Sequence, residues 1–126
     1  MTAEELRKVS GGVIGHLTPK ELVVDATKLA VSANNIGLKV PANKFVYGAY
    51  IKNEADDLAS GGEATVKVTV GSTDVISATG ISDLKGKGVA MLDTSPDFAS
   101  AEREVKLTVA TAEYTAGKLV VGVIYG

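Results

Sequence analysis

His16 is the single histidine of this chain, and cysteine is absent. Those two counts remove most side-chain chemistry at once. A thiolate nucleophile, a disulfide framework and a cysteine metal site are excluded. One imidazole cannot supply the several nitrogens of a His-rich metal site. A Ser-His-Asp arrangement could use His16, but no G-x-S-x-G elbow accompanies it. His16 follows Gly15 in a glycine-rich stretch, and we read it as an exposed polar residue rather than a pH-sensitive contact. The densest group of oxygen ligands is Asn53, Glu54, Asp56 and Asp57. Calcium takes six or more oxygens, and the EF-hand spacing with its closing glutamate is missing here. We therefore read this stretch as a solvated loop. Asp93 and Asp97 flank Pro96 and suit turn geometry. Lys85 and Lys87 lie in LKGKG, which lacks the GxxxxGK[ST] spacing of a phosphate loop. Glycoside hydrolysis needs paired carboxylates in a groove, with aromatic platforms for the sugar. The chain has no Trp, and its four Tyr and two Phe fall mostly where strand packing explains them. No catalytic, cofactor-binding or metal site is assigned, no cofactor is expected, and the chain is not read as an enzyme.

No reaction is announced by any of these residue patterns. At 126 residues the chain can bury one core but not two. Its residues are 45% hydrophobic but only 5% aromatic, so that core is built from Val, Leu, Ile and Ala. Branching at Cβ suits a pleated strand. The formal net charge of −2, with both signs interspersed, leaves no polybasic footprint for nucleic acid. The N-terminus carries early glutamates and no apolar run of the secretory kind. The longest apolar runs are strand-length, too short for a membrane-spanning helix.

The C-terminal stretch organises the rest. EVKLTVAT alternates, with Val105, Leu107 and Val109 on one face and Lys106 and Thr108 on the other. After a turn at Gly117, KLVVGVIYG is apolar on both faces, with Leu119, Val121, Val123 and Tyr125 against Val120, Gly122 and Ile124. Such a strand is central in its sheet or lies against another subunit. Val120 and Ile124 are accordingly our candidate subunit-interface residues. Upstream, ATVKVTV places Val66, Val68 and Val70 inward. A first strand is expected around residues 22–29, and a turn at residues 34–37 in NNIG. The stretch after Pro41 reads as a strand with Phe45, Tyr47, Ala49 and Ile51 on one face and a bulge or close contact at Gly48. DVISATGI reads as a weaker strand, GVAML as a short one, and DTSPDFASAE as a loop. Six to eight short strands with turn signals between them indicate an all-β sandwich or barrel. Residues 19–126 form this domain, and residues 1–18 are a short N-terminal arm. In the arm, residues 2–9 could form two helical turns with a Thr2–Glu5 capping box, placing Leu6 and Val9 on one side. We expect the arm to order on a partner.

Three stretches carry a family resemblance: VPANKFVYGAYI, the valine strand VKVTVG and the closing YTAGKLVVGVIY. Together they resemble small virion proteins of tailed bacteriophages, namely capsid decoration (cement) proteins and the capsid-bound domains of head fibres. The resemblance spans residues 40–126. It implies a jelly-roll-like antiparallel β-sandwich, a homotrimer and attachment to the major capsid protein at the virion surface, after synthesis in the host cytoplasm. It transfers no catalytic residue. Leu6 and Val9 then become the candidate capsid contact, and Val120 and Ile124 suit burial at a three-fold axis. A head fibre would carry a longer distal region than this chain shows after Gly126, which favours decoration. A fibre-base, tail or neck subunit is the alternative within the class. A carbohydrate- or cell-surface-binding β-sandwich is the alternative outside it.

Overall fold

The computed structural model of the chain describes residues 18–126. For Thr18 and for residues 92–97, only the backbone is described. The strands are β1 (Thr18–Asp25), β2 (Ala33–Val40), β3 (Lys44–Lys52), β4 (Ala59–Ser60) and β5 (Thr65–Val70). β6 (Thr73–Gly80), β7 (Gly88–Ala99), β8 (Arg103–Ala110), β9 (Tyr114–Ala116) and β10 (Lys118–Tyr125) follow. A 3-10 turn covers Ala26–Lys28, and one short helix, α1 (Ile81–Leu84), links β6 to β7.

Two four-stranded sheets face one another, in the orders β1-β10-β3-β7 and β2-β8-β5-β6. All their ladders are antiparallel. Leaving aside the two-stranded β4-β9 pair, the pairing is nested: β1 with β10, β2 with β8, β3 with β7, and β5 with β6. One long hairpin has been rolled so that β10 also meets β3 and β8 also meets β5. That is the jelly roll.

The alternation seen in the sequence decides what lies between the sheets. Val66, Val68 and Val70 of β5, Val105, Leu107 and Val109 of β8, and Leu119, Val121 and Val123 of β10 are all buried. Val46, Ala49 and Ile51 complete the inner side of β3. The expected central position of the closing strand holds, since β10 sits between β1 and β3.

Four expectations are corrected. β1 ends at Asp25 rather than continuing to Leu29, because the Asp25 carboxylate accepts from the Thr27 amide at 3.1 Å and its hydroxyl at 2.7 Å. Those bonds cap a helical turn in place of further strand. NNIG is not a turn between strands but part of β2. Gly37 adopts φ +83°, and the β2–β8 register shifts between Asn35 and Lys39, so its glycine serves a bulge. In β3 the bulge expected near Gly48 is present, as a register shift between Val46 and Gly48. It exchanges the faces of the strand: Val46 points inward, while Phe45 stands outward and exposed. DTSPDFA belongs to β7 rather than to a loop. There Val46 pairs with Asp97 and Gly48 with Leu92, so residues 93–96 bulge out of the ladder opposite Tyr47. β7 is an edge strand, where the missing amide of Pro96 is tolerated.

Candidate interaction face

The outer face of the β1-β10-β3-β7 sheet follows from the same alternation. With Leu119, Val121, Val123 and Tyr125 buried inward, Val120, Gly122 and Ile124 face out. Antiparallel register arranges their neighbours in rows: Val23–Val120–Lys52, Glu21–Gly122–Tyr50 and Pro19–Ile124–Gly48. Val120 and Ile124, the residues assigned from sequence as a candidate interface, are half-buried at the centre of this face. Val23 beside them is 58% exposed.

The middle row holds a built contact. Gly122 has no side chain, and the Tyr50 ring occupies the space above it; a Cβ placed at residue 122 would overlap ring atoms Cζ and Cε1. Lying across β10 in this way, the Tyr50 hydroxyl reaches β1 and donates to the Glu21 carboxylate. Burial, and then the Glu21 carboxylate, push the Tyr50 phenol up to about 12. The Lys52 ammonium sits 5.8 Å from the ring centroid and 2.6 Å from the Glu54 carboxylate. Three strands are therefore tied on their outer side by one aromatic strap.

One end of the face is aromatic. Phe45 packs against Phe98 on β7 with centroids 5.0 Å apart and against Tyr47 at 6.2 Å. Phe45 and Phe98 are 42% and 50% exposed. Both amide and carbonyl of Phe45 are bonded to Gly126 at 3.0 Å, so the backbone beneath this patch is fixed.

The polar loop after β3 is a different structure from the one its composition suggests. Asn53 is fully buried. Its side-chain amide donates to the Lys118 carbonyl at 2.8 Å and to Asp57 Oδ1 at 2.9 Å. Its oxygen accepts from the amides of Asp57, Leu58 and Gly86 at 3.1, 3.3 and 3.4 Å. Glu54 turns away to Lys52, and Asp56 adopts φ +55° beside Gly86. The four residues thus do not converge. Among the described residues no group of three or more His, Asp or Glu is placed to hold a metal ion. Lys85 and Lys87 lend this loop their backbones: Lys85 forms an isolated parallel bridge with Asn53, and the Lys87 carbonyl accepts from the Asn53 backbone amide at 3.0 Å. Asp93 and Asp97 lie in β7. His16, Leu6, Val9 and the short helix expected at residues 2–9 lie outside the described residues, as does all of the arm except Thr18, which is already strand.

Sequence reasoning found the outward pair on β10 and missed the strap, the aromatic end and the Asn53 anchor. The available signal for the strap was Gly122, which interrupts an otherwise unbroken valine-rich strand.

No family model matches the chain, and no curated protein matches it significantly. Solved structures are similar in fold. A chain of the capsid of Ralstonia phage GP4 superposes with a TM-score of 0.56 over 88% of this chain and 83% of that chain, at 18% identity. A chain of the acidic stable capsid structure of Helicobacter pylori bacteriophage KHP30 gives a TM-score of 0.52 over 86% of this chain and 91% of that one, at 15% identity.

Proposed function

We propose that this chain is a structural component of a bacteriophage virion, and specifically a capsid decoration protein that binds the outer surface of the mature head and bridges neighbouring capsomers. The observation that carries the reading is the fold likeness, which covers 88% of the chain, to a chain of a phage capsid. The landmarks VPANKFVYGAYI and YTAGKLVVGVIY support it from the sequence side. So does an outer sheet face presenting Val23, Val120 and Ile124 in adjoining rows, a surface suited to contact. In this reading the copies form a homotrimer through Val120 and Ile124, while Leu6 and Val9 in the arm meet the major capsid protein. The protein works without catalysis. Binding to the expanded lattice but not to its precursor stabilises the expanded state by the difference in affinity.

The experiment is co-sedimentation of the purified chain with emptied, expanded heads and with precursor shells, each from a phage whose genome encodes it. Saturable binding to expanded heads alone is expected. Binding confined to a vertex, neck or tail would move the chain to the fibre-base or tail alternative. Failure to bind any virion part would overturn the reading.

A further inference from the structure

Four strands lie at the edges of the two facing sheets, β1 and β7 in one and β2 and β6 in the other. A sheet edge presents unpaired backbone N–H and C=O groups to any strand that can line up with them. Three of these edges are broken. The β2 ladder shifts between Asn35 and Lys39, the β6 ladder shifts twice between Val66 and Thr69 of β5, and β7 carries the bulge at residues 93–96. β1 is different. All eight of its residues pair with β10 without a slip, and among the described residues no strand lies on its other side. Its inward side chains also leave room for a neighbour. Leu22 and Val24 are half-buried, and with Leu29 and Ile36 they line a cleft of about 410 Å³ between the edges of β1 and β2.

We propose that β1 pairs edge to edge with β1 of a second copy, antiparallel and about a two-fold axis, with Leu22 opposite Leu22. The register follows from side-chain direction and charge. Directly opposed residues share a face of the sheet, so Leu22 and Val24 must meet inward residues of the second copy. Centring the pair on Glu21 sets two carboxylates against each other. Centring it on Val23 sets Glu21 against Asp25 twice, and like charges in direct opposition are unfavourable. Centring on Leu22 avoids both, because Glu21 then meets Val23 and Lys20 meets Val24. Lys20 is exposed, and its stem can lie along the valine while the ammonium stays in water. The strand is thus complementary to itself in one register. There the two clefts face one another, and Leu22 and Val24 of both copies form one apolar strip beneath the joined edge. The contact uses a strand edge rather than the outer face of Val120 and Ile124, so it does not rest on the trimer proposed above.

The test uses the absence of cysteine, which gives a clean background for cross-linking. Leu22→Cys sets two thiols opposite one another at a Cα separation of about 4.5–5.5 Å, within disulfide range. The control is Ser77→Cys, an exposed site on the edge strand β6. At equal concentration, mild oxidation should link Leu22→Cys into a dimer roughly tenfold faster or more, because pairing raises the effective concentration of its thiols. Should Leu22→Cys fail to fold by circular dichroism, hydrogen exchange on the unmodified chain decides. Its edge-facing β1 amides should exchange more slowly as protein concentration rises, with β6 amides unchanged. Equal oxidation of the two folded variants would overturn the proposal. So would β1 exchange that is independent of concentration, since the edge would then be free or covered by its own chain. A trimer that Val120→Asp dissociates but that shows neither effect would refute the edge contact and leave the trimer standing.

Discussion

Replacing Gly122 with alanine tests the strap directly. The added methyl group overlaps the Tyr50 ring, which must swing off β10 and release Glu21. A hydrogen bond to a charged partner contributes about 1.5–3 kcal/mol, and its position on an outer face reduces that toward the lower end. Loss of ring contact over the glycine adds to the penalty. The gain from removing a flexible glycine from a strand offsets roughly 0.5–1 kcal/mol. The net expectation is a loss of about 1–2 kcal/mol, or roughly 4–10 °C in melting temperature for a domain of this size. The assay is a thermal melt followed by circular dichroism, run as a cycle with Tyr50→Ala. Once the ring is gone, Gly122→Ala should be neutral or mildly stabilising. An equal loss in both backgrounds would refute the reasoning, because it would place the penalty in the β10 backbone instead of the strap. Phenolate absorbance gives a second readout. The Tyr50 transition near pH 12 should move back toward its ordinary value of 10.0 in Gly122→Ala.

Asn53→Ala removes a buried side chain that satisfies three backbone amides and one carbonyl; urea unfolding should show a loss of about 2–4 kcal/mol. Tyr114 is buried, and among the described residues its hydroxyl has no hydrogen-bond partner, so Tyr114→Phe should leave the melting temperature at neutral pH unchanged or raise it. Burial pushes the Tyr114 phenol up to about 12. Its neutral form is therefore favoured in the fold, a contribution fully present below pH 10 and lost as the pH rises through 12. The phenylalanine variant should accordingly resist alkaline unfolding better across that window. Val121→Asp places a charge at a fully buried site and should unfold the subunit, whereas Val120→Asp on the outer face should keep the strands while dissociating the proposed trimer. Circular dichroism with analytical ultracentrifugation separates the two, and identical behaviour would refute the assignment of faces.

The parts of the fold that could be read from sequence were those governed by simple alternation. β5, β8 and β10 carry valine or leucine at every second position, and their inner faces are the ones expected. β3 could not be read so directly. The bulge near Gly48 was visible as a glycine, but the resulting exchange of faces depends on how β7 pairs, and that register involves a four-residue bulge at residues 93–96. The same limit hid the aromatic end, since Phe45 reads as core until the slip is known. Gly37 in β2 looks like a turn glycine, because local composition cannot distinguish a hairpin from a bulge within a long strand. There the Asn34 side chain supplies the missing information: it bonds Ala30 and Ser32 locally, and Leu107 of β8 at 3.1 Å, a partner 73 residues away. Asn53 is similar. Its type suits a loop, and only the arrival of β10 and the α1–β7 turn makes it an anchor. On the outer face, the outward position of Val120 and Ile124 was visible from one strand alone, while the Tyr50–Glu21 contact needs three strands in register.

The nested pairing has a consequence for how the chain is made. β1 leaves the ribosome well before its hydrogen-bonding partner β10, which lies about ninety residues later in the chain. At roughly 5–20 residues per second, β1 waits on the order of 5–20 s for that partner. β3 gains β7 sooner, yet its other edge also waits for β10. An interrupted product lacking β10 leaves β1 without its neighbour and opens the centre of one sheet. Folding of this sheet therefore reports that translation has passed residue 125. In such a product the rows that set Val23 beside Val120 and Glu21 beside Gly122 and Tyr50 do not form, so the outer surface of this sheet is absent until β10 is in place.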